Sequence, residues 1–227
     1  IYIGTSDADD RSWSVAARWD GWRAGVTEVG GATSGTGDNP LAGIAAGALA
    51  VGAAFQTERG RDVQVKFELN LWPAERSGEE APAFAEVFLP GALWLIGLGN
   101  LGQAFLWALS ALPYADPTTV SLVLQDHDKV TEENWATSVL VRDETYGLLK
   151  TKVVERWAEA KGFDVRRIDR RLVAGDRTDI DDPRLALSGV DKIAVRKLMG
   201  AVGFDCIVDA GLGRTAADFD RYRVSVF

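Results

Sequence analysis

From residue 92 onward the hydrophobic positions fall into short runs divided by polar turns. Ala92 to Ile96 reads as a buried strand, and a helical pattern covers Gln103 to Leu112. Val120 to Leu124 reads as a second buried strand, and Lys150 to Lys161 as a helix. Asp164 to Leu172 alternates, Ala194 to Val202 reads as a short helix, and Asp205 to Val208 as a last buried strand ending at Asp209. The order strand, glycine-rich turn, helix, strand, acidic end, helix, strand predicts an α/β, Rossmann-like fold with a mainly parallel sheet.

Before residue 89 the pattern changes. Residues 1–38 are rich in Gly, Asp and Ser, with Trp13, Trp19 and Trp22 interleaved, and part of the stretch reads as loop with a short strand near Gly25 to Val29. Gly30 to Gly37 reads as a flexible loop, either without order or touching a phosphate. Pro40 opens an Ala-rich helix to about Phe55, with Asp38 or Asn39 as its N-cap. Val63 to Leu71 alternates with the period of a half-buried strand, and Ser77 to Pro82 is a polar turn region. Two parts are therefore expected: an N-terminal segment over 1–88, packing on the fold, and a nucleotide-binding domain over 89–227.

Composition narrows the function. Over 227 residues, 47% hydrophobic and 26% charged positions make an ordinary globular chain, and a net charge of −8 argues against a nucleic-acid or anionic-membrane surface. Leu41 to Phe55 is too short and too rich in Ala and Gly to be expected to span a bilayer. A single Cys and a single His exclude a disulfide framework and a multi-histidine or Cys-rich metal site within this sequence. No basic segment of signal-peptide type opens the sequence.

The candidate chemistry begins at Gly97-x-Gly99-x-x-Gly102, between a strand and a helix. Glycines permit the tight turn, and a helix N-terminus there, Asn100 included, aims free N–H groups at an anion. Asp126 lies at the end of the next strand, 24 residues after Gly102. A carboxylate there can take two ribose hydroxyls, which suits NAD and ATP alike. Asp128, two residues on, falls on the same side if the strand continues.

Asp126-x-Asp128-x-Val130-x-x-x-Asn134, then Gly147-x-x-Lys150, all downstream of the glycine turn, resembles the ThiF-type adenylation domain. That family includes the ubiquitin-activating enzymes and the adenylyltransferases of thiamine and molybdopterin synthesis. The resemblance spans about residues 89–227. Gly21-Trp22-x-Ala24 and Asn39-Pro40-Leu41 look like bacterial members, which often sit in ubiquitin-like conjugation operons, some of them antiviral. The resemblance implies an ATP- and magnesium-dependent enzyme that adenylates the C-terminal glycine carboxylate of a ubiquitin-like protein. It places Gly97, Gly99, Asn100 and Gly102 on the phosphates, Asp126 and Asp128 on the nucleotide, Asn134 near the triphosphate, and Lys150 on charge developing in the transition state. It makes Asp209 a catalytic residue and metal ligand. A homodimer, a ubiquitin-like modifier and a conjugating-enzyme-like partner are the implied associations. The implied location is the cytoplasm, which the lone Cys also fits.

Two positions depart from the family pattern. Thr137 stands where an arginine is usual, with Arg142 the nearest alternative. Leu212 stands where a second acid is usual, leaving Asp209, Asp218 or Asp220 for a metal. Both departures remove charge or oxygen from the phosphate end, so a non-catalytic nucleotide-binding homologue remains open, as does an NAD-dependent oxidoreductase. Cys206 reads as a buried, inert thiol, so a thioester cysteine and further C-terminal sequence are expected outside this chain. His127 reads as a loop residue beside the ribose position. Arg166, Arg167, Arg170 and Arg171 read as the solvated face and ends of a strand, with acids nearby. Trp94 and Trp107 are expected in the core.

Overall fold

The computed structural model describes residues 15–28, 37–60, 67–72, 80–212 and 222–227. Expectations for residues 30–36, 63–66 and 77–79, and for Trp13, Asp218 and Asp220, lie outside these residues. The chain divides into two compact units, Ile1–Phe88 and Leu89–Phe227.

In the first unit, β1 (Val15–Asp20) and β2 (Arg23–Glu28) form an antiparallel hairpin, and β3 (Phe67–Asn70) pairs antiparallel with β2. Gly21 takes the hairpin turn at φ 50°. Strand β1 falls in a stretch read in part as loop; four of its six residues are partly buried and two exposed, so its apolar signal is weak. Helix α1 runs Pro40–Glu58, with the Asn39 side chain accepting from Leu41 N at 3.0 Å and Pro at its start. Ala42, Ala46, Ala50 and Ala53 are its buried positions, and it packs on β1 and β2. Small side chains let it lie close: a Cβ on Gly43 would sit 3.5 Å from the Trp19 ring. At 19 residues and a mean hydropathy of 1.4, α1 is long and apolar enough to cross a membrane by length and composition, which corrects the expectation that it is too short. Trp22 stacks near Trp72 and Phe84, at 5.3 and 5.6 Å, and its Nε1 donates to Pro82 O. The tilted rings make it part of an aromatic core.

The second unit is built on a six-stranded sheet. Its strands are β4 (Ala92–Ile96), β5 (Ser121–Gln125), β6 (Asp164–Ile168), β7 (Leu185–Ser188), β8 (Cys206–Leu212) and β9 (Tyr222–Val226). Their order is β6-β5-β4-β7-β8-β9, parallel throughout except that β9 runs antiparallel to β8. This is the expected Rossmann-like, mainly parallel α/β sheet. Helices α2 (Asn100–Leu109), α3 (Lys150–Glu159) and α4 (Ile193–Met199) follow β4, β5 and β7. In β4 the side chains alternate: Leu93 and Leu95 join a core with Leu106, Leu122 and Val154, while Trp94 and Ile96 join another with Ala186, Met199 and Ile207. Burial on both faces explains why these strands appear as unbroken apolar runs.

Strand β7 escaped the sequence pattern because it has only four residues, yet it lies between β4 and β8. Trp107 is 42% exposed on α2, against the expectation of a core position, whereas Trp94 is buried and donates to Gln125 Oε1. Successive strands step outward from β4 through β5 to β6, then return to β4's other side at β7. The crevice between the carboxyl ends of β4 and β7 is thus the switch point where such sheets bind ligands.

Leu95 is fully buried in β4. Leu95→Ala is expected to remove about 2–5 kcal/mol of stability, read from the midpoint of urea unfolding.

Candidate functional site

The glycine turn after β4 is shaped by backbone contact. Gly97 has φ 82°, in the left-handed region. A Cβ on Gly97 would lie 2.9 Å from Val190 Cγ1, and one on Gly102 only 2.0 Å from Gly97 O. A Cβ on Gly189, which follows β7, would lie 2.8 Å from Gly102 N and 2.9 Å from Gly97 O. Three backbone segments therefore meet where no side chain fits. Gly99 differs: nothing lies within 4 Å of a Cβ built there. Protein packing explains the absence of side chains at Gly97 and Gly102, and leaves only Gly99 facing open space. Gly189 was missed because its strand was missed. So was Gln103, fully buried, whose Nε2 donates to Leu98 O and whose Oε1 accepts from Leu140 N, both at 3.0 Å. Asn100 Oδ1 accepts from Ser138 Oγ at 2.7 Å, a second tie between α2 and the 138–141 segment.

Asp126 follows β5 and is 8% exposed. Its Oδ2 accepts from Leu98 N at 2.6 Å, while Oδ1 accepts from His127 N and Asp128 N at 2.6 and 2.8 Å. The carboxylate fastens the glycine turn to the next strand. With roughly four lone-pair directions on a carboxylate, it retains capacity toward the crevice.

Lys150 opens α3. Its N–H donates to Asp128 O at 2.9 Å, and its Nζ lies 3.4 Å from Asp128 Oδ2, with the side chain 12% exposed. The Gly147-x-x-Lys150 spacing has a local cause. Gly147 at φ 80° donates to Val130 O, and Lys129 bridges Leu149, so the long excursion after β5 closes on itself and delivers Lys150 beside Asp128. The next residue, Thr151, is fully buried and donates to Asp169 Oδ1 at 2.6 Å, pinning this helix start to the end of β6. Asn134 caps its own short turn, its Oδ1 accepting from Thr131 N at 3.0 Å.

These residues line one cleft of about 1250 Å³ at the carboxyl ends of the strands. Gly97, Gly99, Asn100, Asp126, Asp128, Asn134 and Lys150 are all on its wall, while Gly102 and Asp209 are not. Nor are Thr137 and Arg142; the Arg142 guanidinium is bonded to the carbonyls of Val139 and Val141. The cleft also receives Arg170, Arg171, Lys192, Arg196 and Arg223, none of which the sequence pattern singled out as site residues.

The arginine run thus divides. Arg166 pairs with Asp182 and lies over the Trp94 ring, and Arg167 pairs with Glu155 and Asp169. Arg170 and Arg171, exposed just beyond the end of β6, also reach the cleft, which the reading as a solvated face and ends of a strand did not assign to them. Arg170 binds Asp176 through two hydrogen bonds of 2.8 Å, which hold the Asp176 carboxyl below the usual carboxylate range. Arg171 Nε lies 2.6 Å from His127 Nε2.

Asp209 was expected to act in catalysis and hold magnesium. It is 2% exposed; Oδ1 accepts from Ser188 Oγ at 2.8 Å and meets Arg196 Nε at 3.2 Å, while Oδ2 lies 3.6 Å from Arg223. Both oxygens are engaged inside the protein, so this carboxylate does not fit a magnesium ligand, which needs an open oxygen. Asp126, His127 and Asp128 do bring ligand atoms within 4.8 Å of one another. Those atoms are engaged as well, by backbone N–H groups, Arg171 and Lys150. Cys206 is half-buried at the start of β8.

Gly102→Ala is expected to cost several kcal/mol and to lower the melting temperature sharply, while Gly99→Ala leaves it within a few degrees; differential scanning calorimetry separates the two. Asp176 has its folded pKa depressed, so its contribution is present above the unfolded value near ~3.9 and is lost as pH falls through the folded value. The stability gap between wild type and Asp176→Asn is therefore expected to be constant at neutral pH and to close in acid. Its size is at most about 1 kcal/mol, because Arg170 is largely exposed and the pair is screened.

Residues 89–227 match the BilD C-terminal domain family, and residues 1–67 match the BilD N-terminal domain family. A curated relative, the "Bacterial E1-like protein BilD" of Collimonas sp. (strain OK412), is 37% identical over 227 residues, covering 96% of this chain and 48% of that protein. The chain thus spans about half the length of the curated relative it matches. Among solved structures, E. coli MccB with ATP is 19% identical with a TM-score of 0.42, covering 54% of this chain and 37% of that one. TcdA (CsdL) is 16% identical with a TM-score of 0.45, covering 55% and 51%. Likenesses this distant say nothing about chemistry. With both halves of the family description falling on one sequence, and a relative aligned along nearly all of it, the chain belongs to the BilD family.

Proposed function

We propose that this chain binds ATP in the β4–β7 crevice and adenylates a carboxylate presented by a partner. The observation that carries the reading is convergence: the glycine turn, Asp126 and Lys150 come from three separate elements and line one cleft at the switch point of a parallel sheet. In this reading the N-terminus of α2 receives phosphate, with Gly99 leaving room for its approach. Asp126 turns its remaining lone pairs to the ribose. Lys150, paired with Asp128 at 3.4 Å, meets the phosphates. Asn134 offers its amide N–H groups, its oxygen being occupied.

The reaction balances simply. One oxygen of the partner's carboxylate bonds to the α-phosphorus, and the bond from that phosphorus to the bridging oxygen breaks. Pyrophosphate leaves, and an acyl-adenylate remains. The E1-like naming of the relative and the family motifs support a C-terminal glycine carboxylate of a ubiquitin-like modifier as the substrate. A conjugating-enzyme-like acceptor, a homodimer and a cytoplasmic site of action belong to the same reading, on the sequence's resemblance to the ThiF-type family. Asp209 acts in this reading as a positioning residue for Arg196.

Titration calorimetry is expected to show ATP binding that Asp126→Ala and Lys150→Ala each weaken, with no binding of NAD. With a cognate modifier present, Lys150→Ala is expected to slow ATP–pyrophosphate exchange by about 10²–10³-fold. Binding of NAD in place of ATP would overturn the reading. ATP binding without any modifier-dependent exchange would leave a nucleotide-binding scaffold instead.

A further inference from the structure

We infer that the β8 end of the cleft holds nucleotide phosphate on arginine, so that ATP binding by this chain does not depend on a divalent cation. The inference rests on the adenylation reading above and concerns how the same site neutralises its ligand.

A divalent-metal position needs carboxylate oxygens open to the ligand. At this end the sheet offers Asp209, and its carboxylate is 2% exposed, closed in by Ser188 Oγ, Arg196 and Arg223. Three positions on, Leu212 supplies no oxygen. The acid has become an anchor for cations. Two arginines face this one carboxylate, which leaves a net positive charge, and both residues line the cleft.

Arg196 is held in a fixed pose. Its Nε donates to Val190 O at 3.1 Å and its Nη2 to Val190 O and Ala210 O at 2.8 and 3.3 Å. Nη1 has no protein hydrogen-bond partner among the described residues, which leaves its two N–H groups for a ligand. The backbone carbonyls and Asp209 fix the fork beforehand, so little side-chain freedom is lost when an anion arrives. Val190 also packs against Gly97, so Arg196 is braced against the glycine turn itself. Arg223, 63% exposed on the cleft wall, stays 3.6 Å from Asp209 Oδ2 and presents its remaining N–H groups to the cleft. One further carboxylate, Asp191, lines this wall beside Lys192. It is exposed, and no metal-ligating cluster among the described residues includes it, so these residues offer a metal there one carboxylate.

The test is calorimetric titration of the full chain with ATP, in excess magnesium and in EDTA. Affinity is expected to differ by less than about threefold between the two, a gap well under one decade in Kd. Arg196→Ala is expected to weaken ATP about tenfold or more in both buffers, and Arg223→Ala several-fold. Because Arg196 also fastens the loop after β7, the melting temperature is read beside it, and Arg223→Ala, at an exposed position, gives the independent check. A loss beyond about tenfold in EDTA, or a matching loss in Asp191→Asn, overturns the inference and returns the role to a metal. Unchanged affinity in both arginine variants overturns it as well. Absence of ATP binding in either buffer overturns this inference together with the adenylation reading, whereas strict magnesium dependence overturns this inference alone.

Discussion

The close backbone contact among Gly97, Gly102 and Gly189 is the constraint on which the site depends. A Cβ at Gly102 would sit 2.0 Å from a carbonyl oxygen, so α2 can begin where it does only because that residue has no side chain. Its start fixes where the free N–H groups point. The same contact sets the distance between β4 and the loop after β7, and hence the width of the crevice between them. Two buried polar side chains then lock the turn. Asp126 takes the Leu98 N–H from one side, and Gln103 takes the Leu98 carbonyl from the other. A turn whose buried polar groups are bonded in this way is stiff.

Charge in the cleft follows from what each acid is already doing. Asp126 is occupied by backbone N–H groups, Asp128 by Lys150 and His127, and Asp209 by Ser188 and arginines. The acids hold the frame, and the cations of Lys150, Arg170, Arg171, Lys192, Arg196 and Arg223 face the open space. A chain with a net charge of −8 has thereby gathered a basic interior surface, which suits a polyanionic ligand. Asp209 illustrates this most plainly: expected to hold a metal in place of the family's acid at position 212, its carboxylate within β8 braces Arg196 and Arg223 instead.

The parts of the fold that were legible in the sequence are those with local causes. The apolar run of β4, its glycines and the next strand with its terminal acid were readable because short-range sterics and burial dictate them. Gly147-x-x-Lys150 was readable as a motif, and its reason is equally local: a left-handed glycine three residues before a helix. Strand β7 was not legible, since four residues give too little periodicity, although the sheet closes around it. Strand β1 hid in a polar stretch for a similar reason, being only partly buried.

By itself, the sequence determined the α/β class and the place of the glycine turn, and it singled out Asp126, Asn134 and Lys150, which line one cleft. The class and the turn follow from short-range patterning, whereas Asn134 and Lys150 stood out through the family resemblance. Only the tertiary structure decided which arginines meet the cleft and what Asp209 does there. Arg196 and Asp209 are on different elements, α4 and β8, and Arg223 lies on a strand that pairs antiparallel to the rest. Contacts between residues so far apart depend on sheet order, and sheet order is set by which buried faces pack together, a property no single segment carries.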